Sequence, residues 1–280
     1  MKKILFVVLL CLVSMPAFAK DKSVYDRVIN SGTLRCGYAF WPGLMEQDPN
    51  TKTLSGLFYD YMEEMAKILE IKVEWTEELA YGDLPEALRT SRVDAFCAGA
   101  WTNPIRGKYA DPLVPIVYQS VTAFKRAGDN RFDNDLASMN KPEVKISVID
   151  GESTSVIARR YFPNATIQSL PQGTDGTQML LNVITKKADI GLADAIMLKT
   201  VQDNNPGKLR EVKLKYPLQV YGTTIWIKKG EPELKATLDN ATQQLISDGT
   251  IDRLLTKHET APGMYLRPQV PYQGYSHAAE

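Results

Sequence analysis

The sequence has 280 residues, a length that suits one large domain or two modest ones. It carries 33 basic and 33 acidic side chains, so its formal net charge is zero. A chain this close to neutrality has no field that would recruit nucleic acid or an anionic membrane, and the balance favours a small molecule as partner.

Residues 1–19 have the pattern of a secretory signal peptide. Two lysines precede an apolar run over residues 4–13, and a small-x-small cleavage site follows at residues 17–19. We therefore expect export to the periplasm and a mature chain that begins near Lys20. The removed segment holds two lysines and no acidic residue, so the mature chain would be slightly acidic.

Cysteine and histidine usage narrows the chemistry. Outside the predicted signal peptide the cysteines are Cys36 and Cys97, each near the end of a predicted strand. An exported protein can join them in a disulfide, but two buried thiols would suit the pattern equally well. With two histidines in the whole sequence, and no glycine-rich phosphate loop, we expect neither a metal site nor a cofactor.

The first half of the chain alternates between apolar runs typical of strands and amphipathic stretches typical of helices. After a helix over 23–30, the predicted elements are a strand at 33–36, a helix at 57–69, a strand at 71–75, a helix at 84–90 and a strand at 95–98. This order is the pattern of parallel βαβ units. Phe40 and Trp41 follow the first strand on a loop, where their rings either cap a core or line a pocket.

The third strand leads into the stretch that we expect to organise the functional site. The strand breaks at Gly99, and the chain then passes Trp101 and polar turn residues before it reaches Arg106. Ligands of open α/β sheets lie beyond the carboxyl ends of the strands, and a guanidinium offers a planar fork of donors to a carboxylate. The alternative is that Arg106 pairs with an acidic residue at the surface.

The second half repeats the alternation. Its predicted elements are a strand at 144–149, a helix at 155–161, a strand at 165–170, a helix at 177–187 and a short apolar strand that ends at Asp194. Ser153 and Thr154 precede the first of these helices, where they cap it or present its N–H groups to an anion. Asp194 either caps a helix or binds the ammonium group of a ligand.

Two long extended runs, 115–125 and 216–227, are placed to cross between the two halves. We therefore predict an α/β fold of two lobes, each a mainly parallel sheet flanked by helices, joined by two crossover strands. The predicted boundaries are 20–122 with 216–258 for the first lobe, 123–215 for the second lobe and 259–280 for an irregular C-terminal tail.

Four motifs occur in a defined order along the chain. They are Gly56-Leu57-Phe58-Tyr59-Asp60-Tyr61, Ala98-Gly99 through Arg106 with Asp111-Pro112, Asp189 to Asp194, and Asp248-Gly249-Thr250-Ile251-Asp252-Arg253. In this order and spacing, the chain from Val24 to His258 resembles bacterial extracellular solute-binding proteins, and more narrowly the polar amino-acid-binding family of ABC importers. The resemblance implies the two-lobed type II periplasmic-binding-protein fold.

The resemblance also implies a function and a set of ligand-binding residues. A monomer without catalytic residues would close its lobes on a small polar solute, an amino acid or related carboxylate, and deliver it to a membrane permease. The implied residues are Arg106 with the N–H groups of Ser153 and Thr154 for the α-carboxylate, Gly99 and Asp194 for the α-ammonium group, and Phe40 or Trp41 with Leu57 for the side chain. A buried zwitterion needs a fixed partner for each charge.

Three positions depart from the family pattern. Trp101 stands where the family has a serine or threonine hydroxyl, which Thr102 would replace through a shifted turn. Glu152 stands where a threonine is typical, so it would pair with Arg106 or meet a cationic ligand. Gly37 stands where binders of basic amino acids often carry an acid, which disfavours lysine and arginine as ligands.

Two other functions fit the same fold. One is a periplasmic dehydratase of the cyclohexadienyl type that acts on prephenate or arogenate. Glu152 would be its acid, since a desolvated carboxyl group can titrate near neutral pH. The other is a sensor or binding protein that works without a transporter.

Overall fold

The computed structural model describes residues 23–132, 135–260 and 264–269. The predicted signal peptide and most of the predicted tail lie outside the described residues. The helices are α1 (Val24–Ser31), α2 (Leu57–Leu69), α3 (Leu84–Arg89), α4 (Leu136–Met139), α5 (Ser153–Tyr161), α6 (Thr177–Ile184), α7 (Ala195–Asn204), α8 (Pro232–Ser247) and α9 (Thr250–His258). None of these helices is both long enough and apolar enough to cross a bilayer.

The strands form one large sheet and one small hairpin. They are β1 (Thr33–Tyr38), β2 (Glu46–Gln47), β3 (Leu54–Ser55), β4 (Lys72–Glu78), β5 (Ala95–Trp101), β6 (Ala110–Pro112), β7 (Val117–Arg126), β8 (Lys145–Ile149), β9 (Thr166–Leu170), β10 (Ile190–Ala193), β11 (Leu209–Glu211) and β12 (Gln219–Lys228). The large sheet has the order β4-β1-β5-β12-β7-β10-β8-β9, with β6 paired to β12 and β11 paired to β7. The hairpin is β2 with β3.

The large sheet contains two parallel groups. In the first lobe β1 pairs in parallel with β4 and β5, and in the second lobe β8 pairs in parallel with β9 and β10. The long strands β7 and β12 run antiparallel to their neighbours and join the two groups. The predicted two-lobed α/β fold is therefore confirmed, with the two mainly parallel groups joined by the crossover strands into one continuous sheet.

The crossover strands also pair with each other. Residues 117–121 of β7 pair with residues 219–223 of β12. Beyond this segment β7 continues along β10 in the second lobe, and β12 continues along β5 in the first. The paired segment is thus where the two parallel groups of the large sheet are connected.

Local sequence signals explain the helix ends and the packed faces. Ser23 caps α1 by accepting a hydrogen bond from the N–H of Tyr25 at 3.1 Å, and Gly32 ends the helix in a left-handed conformation. The apolar stripe of α2 is buried, as its helical spacing predicts. From that stripe Tyr61 also bonds Thr242 of α8 at 2.6 Å.

Two local predictions need correction. The strand β5 does not end at Gly99 but continues to Trp101, because Gly99 adopts a φ of +79° and its partner strand shifts register between Thr224 and Trp226. The helix α5 begins at Ser153, two residues earlier than expected. The helix α7 starts directly after Asp194, the residue for which a capping role was one of two alternatives.

The two cysteines outside the predicted signal peptide form a disulfide, which decides between the alternatives that the sequence left open. Cys36 in β1 and Cys97 in β5 lie on neighbouring strands, are fully buried, and have Cα atoms 5.5 Å apart. The bond ties together the two strands whose carboxyl ends lead to the candidate site.

The described part of the tail packs against the crossover region. Leu266 exchanges two backbone hydrogen bonds with Tyr118 of β7, at 2.7 and 2.9 Å. Met264 and Tyr265 are buried, and the hydroxyl of Tyr265 donates to the carbonyl of Gly43 at 3.3 Å. This hydrogen bond therefore connects the segment to the loop that carries Trp41.

Candidate functional site

Arg106 lies in a short 3₁₀ turn after β5, and its side chain is buried. The side-chain oxygen of Asn103 accepts the backbone N–H of Arg106 at 2.8 Å and so shapes the turn. The guanidinium donates to the carbonyls of Trp101 at 2.7 Å and Tyr81 at 3.4 Å, and it lies 5.4 Å from the ring of Trp226. These contacts fix its position and leave further N–H donors for an anion.

Burial lowers the pKa of Arg106 to about 10, an effect that neighbouring groups, Tyr81 and Glu152 among them, partly oppose. Arg106 is 7% exposed, so its cation is poorly solvated. A desolvated guanidinium gains most from an anionic partner with hydrogen-bonding oxygens, such as a carboxylate.

Arg106 opens onto a small cavity between the lobes. The cavity has a volume of about 30 Å³, and besides Arg106 it is lined by Trp41, Leu44, Tyr81, Gly99, Ala100, Trp101, Glu152 and Ser153. This volume holds about one or two water molecules. A larger group does not fit beside Arg106 inside this cavity as the lobes are arranged in the structure.

A larger cleft of about 850 Å³ lies beside the small cavity and shares Trp41, Tyr81 and Glu152 with it. Phe40 lines this cleft. Arg106 thus lines only the small cavity, whereas most of the volume available to a ligand lies in the larger cleft.

Glu152 lines both spaces and comes from the second lobe. It occupies the cap position before α5, but its side chain makes no capping hydrogen bond. Burial raises the pKa of Glu152 to about 7, and the charge of Arg106 partly opposes the rise. Glu152 therefore holds its proton more tightly than an exposed glutamate, and it lines the same cavity as Arg106.

Ser153 and Thr154 are the first two residues of α5 rather than its caps. The hydroxyl of Ser153 accepts a hydrogen bond from the amide of Asn103 at 3.3 Å, which links the two lobes. Thr154 is buried and contacts the sulfur of Met179 at 3.7 Å, away from the small cavity. What the start of α5 offers the cavity is Ser153 and N–H groups of the first helical turn.

Asp194 caps α7, which is one of the two roles that the sequence left open. Its Oδ1 accepts the N–H of Met197 at 2.8 Å, and its Oδ2 accepts the indole N–H of Trp41 at 3.1 Å and the amide of Gln119 at 3.2 Å. Burial raises the pKa of Asp194 to about 6, while hydrogen bonds from Met197, Trp41 and Ile196 oppose the rise. Asp194 is linked to the small cavity through Trp41, which lines it.

The aromatic residues form the walls of the cavity. Trp101 stacks on Tyr221 with ring centroids 5.3 Å apart, and its indole N–H donates to Gln119 at 3.0 Å. Trp41 lies edge-on to Trp101 at 6.1 Å and to Tyr81 at 5.8 Å. These contacts fix the ring faces that a ligand would meet.

Besides Thr154 and Asp194, two more predicted residues line neither the small cavity nor the larger cleft. Leu57 is fully buried in the core and lines neither the small cavity nor the larger cleft. Thr102 is half-buried, and its backbone N–H donates to the carbonyl of Gly222 at 2.8 Å, so it acts in strand pairing. The residues that the structure brings together around the small cavity are Arg106, Gly99, Trp101, Trp41, Glu152 and Ser153.

Sequence reasoning missed Tyr81 and Gln119. Tyr81 lines both spaces and lies just beyond the carboxyl end of β4, where the rule for open α/β sheets would have placed a site residue. Gln119 is a buried amide in an alternating strand, between Val117 and Val121 on the inward face. A polar residue at an inward position is the signal that could have found it.

The comparisons with known proteins agree with this fold. The sequence profile of the bacterial extracellular solute-binding proteins, family 3, matches residues 36–261. An ancestral amino-acid-binding protein, described as a precursor of cyclohexadienyl dehydratase, superposes with a TM-score of 0.72 at 24% identity, covering 84% of this chain and 98% of that chain. The amino acid ABC transporter substrate-binding protein of Streptococcus pneumoniae, bound to L-arginine, gives a TM-score of 0.70 at 17% identity, covering 83% and 97%.

Another relative matches over part of its length only. Membrane-bound lytic murein transglycosylase F of Aliivibrio fischeri is 26% identical over 155 residues, which are 54% of this chain and 31% of that protein. The chain therefore spans about a third of the length of this relative. At such identities the solved structures establish the shared fold alone, whereas the family profile covers most of the sequence. The chain belongs to family 3 of the bacterial extracellular solute-binding proteins.

Proposed function

We propose that this chain is the periplasmic substrate-binding component of an ABC importer, and that it closes on an amino acid or a related small carboxylate. The observation that carries the proposal is the environment of Arg106. Its guanidinium is buried, both hydrogen bonds that the structure describes for it go to backbone carbonyls, and it opens onto an interlobe cavity. Such a group is prepared for an anion that arrives from solution.

The carboxylate of the ligand binds Arg106 and N–H groups at the start of α5. Arg106 belongs to the first lobe and α5 to the second, so a carboxylate held by both contacts both walls. The helix start carries a partial positive charge that supports the anion. Lobe closure then follows from contacts that exist only when the ligand touches both lobes.

Glu152 and the carbonyl of Gly99 hold the ammonium group in this proposal. Both residues line the small cavity with Arg106, whereas the carboxylate oxygens of Asp194 already accept hydrogen bonds from Met197, Trp41 and Gln119. The contribution of Asp194 is to hold Trp41. The side chain of the ligand extends along the aromatic rings toward the larger cleft, past Phe40.

The closed arrangement is supported by hydrogen bonds across the cleft. They join Asn103 to Ser153 at 3.3 Å, Asp83 to Gln172 at 2.7 Å and Trp41 to Asp194 at 3.1 Å. A net hydrogen bond contributes about 1 kcal/mol, so three of them are weak enough for a ligand to shift the balance between open and closed states.

A thermal-shift screen against the twenty L-amino acids tests this function. A true ligand at a hundredfold excess over Kd stabilises the folded protein by about 2.7 kcal/mol. Arg106→Gln should abolish the response to that ligand while the protein stays folded. Arg89→Gln is the matched control, since Arg89 lies exposed on α3 and pairs with Glu86. A response that survives in Arg106→Gln contradicts the proposal.

One observation favours an enzyme as the second candidate. Glu152 titrates near neutral pH beside Arg106, which is what a general acid for dehydration of a carboxylate substrate requires. The mature protein is incubated with prephenate and with arogenate, and the products are analysed by chromatography. Product that forms with the wild type and disappears in Glu152→Gln would establish the dehydratase and overturn the pure binder.

Transport itself separates the importer component from a sensor of the same fold. Cells that lack this chain are compared with complemented cells for uptake of the labelled amino acid from the screen. Uptake that depends on the chain and on Arg106 supports the importer. Binding in the test tube without any effect on uptake supports a sensor.

A further inference from the structure

Gln119 makes three hydrogen bonds with its side-chain amide, although it lies on a crossover strand and is buried. Its Oε1 accepts the indole N–H of Trp101 at 3.0 Å and the hydroxyl of Thr223 at 2.7 Å, and its Nε2 donates to Asp194 at 3.2 Å. An indole N–H only donates and a carboxylate only accepts, so the orientation of the amide is fixed by its partners.

The partners of Gln119 come from every part that meets at the cleft. Trp101 ends β5 in the first lobe, and its carbonyl accepts the guanidinium of Arg106 at 2.7 Å. Thr223 belongs to the other crossover strand, and Asp194 starts α7 in the second lobe. Asp194 in turn accepts the indole N–H of Trp41.

The hydrogen bonds of this network converge on the carboxylate of Asp194. Trp101 and Thr223 donate to Gln119, Gln119 donates to Asp194, and Trp41 donates to Asp194 from the other side. A buried chain of this kind is stable only when every member is satisfied, and a lost partner leaves a buried donor or acceptor that costs free energy. The position of the crossover strands is thereby coupled to both tryptophans that line the small cavity.

We propose that Gln119 is a positioning residue that couples the crossover strands to the ligand cavity through Trp101 and Asp194. The cavity is a ligand site only if the proposed function holds, and in that sense this inference depends on it. Gln119 touches no ligand in this account. It orients Trp101, whose carbonyl holds Arg106, and it orients Asp194, which holds Trp41 across the cleft.

The indole N–H groups report on this network directly. The sequence has four tryptophans, at 41, 75, 101 and 226, and each gives one indole resonance that a Trp→Phe variant assigns. In Gln119→Leu, hydrogen exchange at Trp101 should accelerate at least about fivefold because its acceptor is gone, and Trp41 should follow. Trp226 donates to the carbonyl of Ala100 at 3.1 Å outside the network and should not change.

The matched control is Gln219→Leu. Gln219 lies on the second crossover strand, and its amide bonds only the carbonyl of Val220 in the described chain, at 3.2 Å. This variant should leave all four resonances at their wild-type exchange rates. Unchanged rates at Trp101 and Trp41 in Gln119→Leu, or equal acceleration at all four tryptophans, would overturn the proposal.

A second variant separates positioning from a general packing defect. Gln119→Glu keeps an oxygen for Trp101 and Thr223 but places a carboxyl group against Asp194. At pH 5 a shared proton restores the bond, and at pH 8 two like charges break it. The other ionisable side chains around this network are Tyr81, Tyr221, Tyr265, Arg106 and Glu152, and comparison with the wild type at the same pH cancels their own titration.

In Gln119→Glu we expect the indole N–H groups of Trp101 and Trp41 to exchange slowly at pH 5 and fast at pH 8, relative to the wild type at each pH. The same ratio at both pH values would contradict the proposal. The readout uses the protein alone. An amino-acid screen that fails therefore leaves this result interpretable, and a negative result here leaves amino-acid binding untouched.

Discussion

Arg106 from the first lobe and Glu152 from the second lobe line one small cavity, and burial shifts the pKa of each toward the neutral form. The pKa of Arg106 falls to about 10 and that of Glu152 rises to about 7. A ligand group of opposite charge would therefore stabilise the charged form of each side chain. A zwitterion does so for both at once.

The pH dependence of affinity should follow Glu152. A ligand ammonium group favours the ionised carboxylate, so binding below pH 7 must release a proton. The Kd should rise as the pH falls through 7, by up to about tenfold per unit below the pKa. Calorimetric titration at several pH values, in buffers of different ionisation enthalpy, measures both the affinity and the proton.

Glu152→Gln should remove this dependence, whereas Glu86→Gln should retain it because Glu86 is exposed on α3. An affinity of the wild type that stays constant from pH 8 to pH 5 would show that the ammonium group lies elsewhere.

The contribution of Glu152 to the free energy of unfolding should depend on pH in the opposite sense, decreasing as the pH rises. The pKa of Glu152 in the folded protein, about 7, lies above its ordinary value of 4.5, so the folded state binds this proton more tightly. Stability from this group is complete below pH 4.5 and is lost as the pH rises to 7. Glu152→Gln should therefore gain up to about 3 kcal/mol relative to the wild type at pH 8, and little at pH 4. Urea unfolding at the two pH values measures this, and an equal difference at both would contradict it.

Gly99 should tolerate no side chain. Its φ is +79°, and a Cβ atom would come within 2.3 Å of the ring of Phe58. Gly99→Ala should destabilise the protein by about 2 kcal/mol or more and weaken ligand binding, because β5 leads to Arg106. Gly107 lies in the same turn as Arg106, and a Cβ atom there would have nothing within 4 Å. The stability of Gly107→Ala should therefore remain close to that of the wild type. Thermal unfolding compares the two, and similar losses would show that the backbone at Gly99 is not constrained.

The disulfide should contribute a large part of the stability. It joins Cys36 to Cys97 across 61 positions of sequence, a loop for which chain entropy predicts about 4 kcal/mol. Urea unfolding with and without reductant should show this loss, and the double variant Cys36→Ala and Cys97→Ala should reproduce it. A midpoint that reductant does not change would mean that the thiols are not joined.

The sequence predicts the architecture well because periodicity and turn residues are local signals. The βαβ order, the two crossover runs and the carboxyl-end position of Arg106 all follow from them. The position of Glu152 in the cavity also agrees with the expectation that it lies beside Arg106.

What the sequence could not predict depends on distant contacts. The sequence left open whether Asp194 caps a helix, and it could not show that Trp41 and Gln119 bind the other carboxylate oxygen. The strand through Gly99 continues because β12 shifts its register opposite it. Leu57 begins an amphipathic helix, and only the packing shows that it faces the core rather than the cavity.

The most direct test of the central claim is native mass spectrometry of the protein purified without denaturation. The account predicts a retained small molecule that carries a carboxylate and an amine, present on the wild type and on Arg89→Gln and absent from Arg106→Gln. A retained molecule without a carboxylate, or equal retention by Arg106→Gln, would contradict it.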